Sequence, residues 1–235
     1  MGTSMDFSGK HVVITGGTGA LGTAVVTRLL AAGASCTIPY VHEAEAQRFP
    51  NRGDPNVTLI AVSDLADETQ VARVFAGRKP WASIHIAGGF AAGKVADTDK
   101  KALMAQIDSN LISCFLCCRA AVQAMSTSGG GRIVNVAARP ALEWRTGAGM
   151  SAYTIAKTGV AALTVVLAEE VAASGILVNA VAPSIMDTPA NRKEMPKANF
   201  DAWPKVDEVA ATILFLASPD NRVTRGAVVP VYGKS

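Results

Sequence analysis

Short runs of β-branched residues alternate with longer helical stretches along almost the entire chain, and this limits the possible folds more than any other sequence feature. The first run is His11–Thr15 (HVVIT), and a helix is predicted over 20–32, ended by Gly33. A second strand is expected at 35–38, closed by Pro39, then a third at 57–62, a helix over 67–76 and a fourth strand at 82–86. A long helix over about 100–125 leads through a Gly-Gly-Gly break to a strand at 132–136. A helix over 151–173, a strand at 177–181, a helix over 207–217 and a strand at 227–231 complete the pattern. Strands joined through helices pair in parallel. Runs such as VVITG and ILVNAVA are apolar at successive positions, as strands covered by helices on both faces must be. The expected fold class is α/β: one domain over 1–235 built on a doubly wound parallel sheet of about seven strands. With 235 residues, 49% of them apolar, the chain can bury such a core. The stretch 183–204 is long for a connection, and loops of that length usually carry function, so it is expected to contact the substrate.

Charge and hydropathy exclude several classes of partner. The net charge is +3 and the basic residues are scattered, so no nucleic-acid footprint is expected. No uninterrupted apolar run reaches the roughly 18 residues of a spanning helix. Residues 1–10 are short and polar, with Asp6 where a myristoylation signal would place Ser or Thr, and a cytoplasmic protein is expected. Cys114 and Cys117 form a C-x-x-C, but no second pair completes a tetrahedral site. They are read, with Cys36 and Cys118, as reduced core cysteines, and no metal is expected.

The turn after the first strand reads Thr15-Gly16-Gly17-Thr18-Gly19-Ala20-Leu21-Gly22. Glycines there let the backbone approach a pyrophosphate closely, while the following helix start offers free N–H groups. This predicts a Rossmann-type dinucleotide site on Gly16, Thr18, Gly19, Ala20, Leu21 and Gly22. Asp64, just after the third strand, is suitably placed to accept from an adenine amino group, or to close a turn. The second strand ends in Ile38-Pro39-Tyr40-Val41-His42, with no acid before Glu43. A carboxylate at that point would bind the ribose hydroxyls and repel a 2′-phosphate, so its absence tilts the expectation toward NADP(H) over NAD(H). No arginine takes its place; Tyr40 and His42 are the side chains that remain to contact the cofactor, unless His42 is simply a solvated loop histidine.

Tyr153-Thr154-Ile155-Ala156-Lys157 places a phenol and an ammonium one turn apart on a helix. A cation within a few ångströms lowers a phenol by about 1–3 pKa units, toward the range useful for proton transfer. Together with the glycine loop, Ala87-Gly88 after the fourth strand and Asn110, this order and spacing resembles the short-chain dehydrogenase/reductase family over nearly the whole chain. The resemblance implies that Tyr153 is the general acid, that Lys157 lowers its pKa and holds the nicotinamide ribose, and that Asn110 supports a water relay. It also implies cofactor contacts at Ala87, Gly88, Gly89, Pro183 and Thr188, and a homodimer or homotetramer formed through the long helices.

Three departures stand out. Ala138 occupies the position of the family's catalytic serine, His85-Ile86-Ala87-Gly88 replaces Asn-Asn-Ala-Gly, and Pro183-Ser184 replaces Pro-Gly. Loss of one preorganised oxyanion donor typically lowers a rate by about 10²–10³, so plain alcohol–ketone chemistry should be handicapped. The dihydropteridine reductase-like branch also lacks the serine. It is similar in the Gly-Gly-Thr-Gly-Ala-Leu-Gly loop, in 87–93, in Gly149-Met150 and in 187–196, running on through Phe200 and Trp203. The expected activity is hydride transfer from NAD(P)H to a small conjugated or carbonyl substrate, possibly a pterin-like ring, with Phe90, Trp144 and Trp203 as candidate walls. The alternatives are a generic short-chain carbonyl or alcohol dehydrogenase and a weakly catalytic cofactor-binding sensor.

Overall fold

A computed structural model describes residues 5–235. Seven strands form one parallel sheet in the order β3-β2-β1-β4-β5-β6-β7. They are β1 (His11–Thr15), β2 (Ser35–Tyr40), β3 (Val57–Ala61), β4 (Ala82–His85), β5 (Gly131–Val136), β6 (Ile176–Pro183) and β7 (Val228–Val231). This is the Rossmann arrangement, and the chain forms a single domain.

The apolar residues of each strand divide between the two sheet faces because side chains alternate along a strand. Val12 and Ile14 of β1 point to one face, with Ile84 and Val134, and pack beneath α1 (Ala20–Ala31) and α9 (Val206–Ala217). Val13, Ile133 and Val178 point to the other, beneath α3 (Glu68–Phe75), α5 (Ser113–Ser126) and α7 (Ser151–Glu170). Core side chains such as Ile14, Leu29 and Ile133 are fully buried, and each such burial contributes about 1.5–3 kcal/mol. Helix α7 is apolar enough by composition to cross a membrane, but Ala156, Lys157, Val160 and Ala168 along it are buried against the sheet, α5 and the helix α4 (Lys100–Ile107), as in a core helix.

Three short helices lie where loops were expected: α2 (Glu43–Arg48), α6 (Arg139–Leu142) and α8 (Pro189–Glu194). The long helix expected over 100–125 is divided into α4 (Lys100–Ile107) and α5 by a wider π turn at Asp108–Ile112.

Candidate active site

Strands β1 and β4 lie side by side at the centre of the sheet, and the chain leaves them toward opposite faces. Such a switch point opens a crevice at the strands' C-terminal ends, where ligands bind in open α/β sheets. A cleft lies there, walled by Leu21, Gly88, Gly89, Phe90, Asn110, Val136, Ala137, Ala138, Tyr153, Lys157, Pro183, Ser184 and Met186.

Two loop glycines are demanded by the protein itself. Gly16 has φ +68°, and a Cβ on it would meet the Ala87 backbone at 2.7 Å; one on Gly22 would overlap the Gly16 carbonyl. Gly19 differs: the nearest protein atom to its would-be Cβ is Gly16 O at 3.4 Å, ordinary contact. Gly19 also opens α1 with no side chain capping the first turn, so the N–H groups there are available to an anion. The open Gly19 cradle and uncapped helix start fit a dinucleotide's pyrophosphate. Further out, the Thr18 hydroxyl donates to Glu45 Oε2 at 3.2 Å.

Asn110 sits on the π turn, a device that breaks the regular ladder and frees a carbonyl. Asn110 Nδ2 donates to Gln106 O at 3.0 Å and to Gly89 O at 2.9 Å. Asn110 Oδ1 is buried without a partner, against Gly88, where a Cβ would overlap it. A buried acceptor left unpaired costs about 1–3 kcal/mol, so a donor entering the cleft here would be stabilised.

Tyr153 and Lys157 lie on α7, both in the cleft wall. Lys157 Nζ donates to Val136 O at 2.8 Å, and burial lowers its pKa to about 8. Burial pushes the Tyr153 phenol up to about 12, opposite to the lowering expected from a neighbouring cation. The physical reason is that Nζ is engaged by Val136 O and stands 5.9 Å from the tyrosine ring centre, so desolvation outweighs the cation. Phe90 meets the Tyr153 ring edge-on, with centres 5.1 Å apart.

Other expected residues divide into those the structure brings to the cleft and those it does not. Pro183 lines it, but Thr188 is buried as the cap of α8, its hydroxyl accepting from Asn191 N at 3.2 Å. Asp64 Oδ1 accepts from Ala66 N at 2.8 Å and closes the turn after β3. Tyr40 ends β2 and His42 stands at the start of α2. Of the three aromatic residues proposed as walls, only Phe90 lines the cleft. Trp203 is buried against Phe200 at 5.0 Å, and Trp144 is 71% exposed to one side. Among the described residues that line the cleft, Ser184 is the only serine or threonine, and its Oγ donates to Tyr232 O at 2.9 Å instead of replacing the hydroxyl missing at Ala138. Met186 and the Val136 carbonyl were not anticipated from sequence; a backbone carbonyl carries no side-chain signal.

The loop after β6 is fixed by Asp187, whose carboxylate takes Arg192 Nε at 2.5 Å and Lys205 Nζ at 2.6 Å. Those two cations hold the Asp187 carboxyl well below the usual carboxylate range.

Behind the cleft, His85, Cys114 and Cys118 cluster within reach of a common metal ion. Hydrogen bonding argues against one. Asn135 Nδ2 donates to Thr164 Oγ1, which itself donates to Val160 O, so Asn135 Oδ1 must face His85 Nδ1 at 2.8 Å. His85 Nδ1 therefore carries the proton, Nε2 accepts from Ser83 Oγ at 2.8 Å, and Cys118 Sγ donates to Asn135 Oδ1. No imidazole lone pair is left to bind a metal. All four cysteines are free and buried.

The family profile described as short chain dehydrogenase matches residues 10–199. The chain is 34% identical to galactitol 2-dehydrogenase of Rhizobium johnstonii, over 95% of this chain and 93% of that one. It is 30% identical to 2,3-dihydroxy-2,3-dihydro-p-cumate dehydrogenase of Pseudomonas putida, over 99% and 96% of the two chains. Among solved structures it is similar to that of ElxO with NADP bound: TM-score 0.86, 26% identity, covering 95% of this chain and 97% of the other. The matched profile, the parallel sheet and the cleft at its switch point agree, and the chain belongs to the short-chain dehydrogenase family of oxidoreductases.

Proposed function

We propose that the protein reduces a small, flat, uncharged substrate with NAD(P)H, a pterin-like ring being the specific fit. The observation that carries this reading is the composition of the cleft beside Tyr153. Ala137, Ala138, Val136, Phe90 and Met186 form an apolar wall, the family's serine hydroxyl is absent, and no acid or arginine lines it. A conjugated C=N acceptor needs less oxyanion support than a ketone, so loss of the serine handicaps it least.

The cofactor, when bound, supplies the hydride. Gly16, Gly19, Ala20, Leu21 and Gly22 carry its pyrophosphate, with Ala87, Gly88, Gly89 and Pro183 against the nicotinamide half. Tyr153, protonated across the physiological range, donates the proton to the reduced atom. Lys157 holds the ribose, and the phenolate left on Tyr153 takes its proton back from solvent before the next turnover. Asn110 Oδ1 orders a donor between Gly88 and Lys157. The 183–204 loop, anchored by Asp187, closes over the substrate, with Thr188 setting its turn rather than touching the ring. Strand β2 ends at Tyr40 without an acid, which by itself favours NADP(H). Exposed Phe115 on α5 and Val165 and Val166 on α7 support a homodimer or homotetramer formed through those helices.

A second reading, a sugar-alcohol or cyclic-diol dehydrogenase, is favoured by the names of the relatives. Spectrophotometry separates the two. With quinonoid dihydropterin as acceptor, oxidation of NADH or NADPH well above the rate with simple ketones is expected. Tight cofactor binding without pterin turnover, alongside measurable polyol oxidation, would transfer the assignment to the second reading.

A further inference from the structure

The acid that reads the adenosine ribose in dinucleotide-binding sheets normally stands about 20 residues past the glycine loop. Here β2 ends in uncharged Tyr40, yet two carboxylates reach that corner from the first turn of α2. Glu45 Oε2 accepts from the Thr18 hydroxyl at 3.2 Å, so the carboxylate is tied to the phosphate loop itself. Glu43 lies beside the Tyr40 hydroxyl and pushes that phenol's pKa up. The arginines that follow are engaged elsewhere: Arg48 Nε donates to Ala44 O at 3.0 Å, and Arg52 to Gln47 O at 3.2 Å.

We propose that Glu45, held on Thr18, reads the cofactor's ribose hydroxyls in place of a strand-end acid and makes the protein select NAD(H) over NADP(H). The inference rests on the cofactor reading above and reverses what the strand end alone favours. A ribose diol can donate to the Glu45 carboxylate once the carboxylate is already positioned by Thr18. A 2′-phosphate brings about two negative charges against Glu45 and Glu43, while the nearby Arg48 and Arg52 are each drawn onto a backbone carbonyl of α2. Because Glu45 is solvent-exposed, the discrimination is electrostatic and must weaken as salt rises.

Equilibrium titration of NADH and NADPH into the purified protein, followed by nicotinamide fluorescence at low and high salt, tests this without turnover. The wild type is expected to bind NADH at least ~10-fold more tightly at low salt, with the ratio shrinking at high salt. Glu45→Gln, which keeps a partner for Thr18 but loses the charge, is expected to bring the two within about threefold, chiefly by tightening NADPH. Equal or tighter NADPH binding by the wild type, or a ratio unmoved in Glu45→Gln, would overturn the proposal and leave the oxidoreductase reading standing. Failure of both cofactors to bind would overturn that reading and the proposal with it.

Discussion

At the scale of residues, the chemistry turns on two side chains that burial shifts in opposite directions. Desolvation disfavours the charged form of each, so Lys157 falls to about 8 from an ordinary 10.5, while Tyr153 rises to about 12. Tyr153 therefore stays protonated throughout the useful range, and of the two Lys157 is the group that titrates nearer neutrality. On the proposed role of Lys157 as the cation that holds the ribose, loss of its proton should leave kcat/KM for reduction level below about pH 8 and falling about tenfold per unit above it. A pH–rate profile checks this, and Lys157→Arg should lower the plateau while abolishing the alkaline limb. Stability follows from the same shifts. Between about 8 and 10.5 the unfolded chain binds more protons at Lys157, so stability rises with pH; above 10, Tyr153 acts in the opposite sense.

At the scale of elements, the turn between β1 and α1 combines two kinds of glycine. Gly22→Ala would force its methyl into the Gly16 carbonyl, so about 1–3 kcal/mol or more of stability should be lost, read as a drop in Tm without cofactor. Gly19→Ala meets nothing closer than 3.4 Å within the protein, so Tm should hold while cofactor affinity falls. Equal effects of the two substitutions on Tm would remove the distinction.

Elements also show how far sequence reading reaches. All seven strands were legible, because β-branched apolar runs between helices have few other solutions, and their ends moved by only a residue or two. Helices α2 and α6 were not: with six and four residues, neither is long enough to show a repeating apolar face. Helix α8 did carry a signal, Thr188 as cap and Pro189 in the first turn, hidden inside a stretch read as irregular. The π turn was invisible for a different reason. Asn110 was picked out as a functional residue, but its bond to the Gly89 carbonyl, 21 residues away, depends on the fold and not on local propensity. Tyr153, Lys157 and the glycine loop were legible because their chemistry is local. Glu45 on Thr18, 27 residues apart, and Lys157 on the Val136 carbonyl depend on the fold to bring them together.

At the scale of the whole molecule, α7 carries the site on one face and exposed Ile155, Val165 and Val166 on others, while α5 exposes Phe115. If these apolar faces are covered by a second copy, light scattering should give a multiple of the 24.3 kDa chain mass. Phe115→Glu with Val166→Glu should then shift the mass toward one chain; a wild type that is already monomeric would remove the oligomer proposal.

The central claim is that this cleft performs hydride transfer with Tyr153 as proton donor. Its most direct test compares wild type with Tyr153→Phe for NADH and NADPH oxidation by quinonoid dihydropterin, with cofactor affinity measured in parallel. The phenylalanine ring keeps the edge-on contact with Phe90 and removes only the hydroxyl. The account predicts a rate lower by about 10²–10⁴ at nearly unchanged cofactor affinity. A variant that turns over as fast as the wild type, or a wild type that binds cofactor yet transfers its hydride to no acceptor, would contradict it.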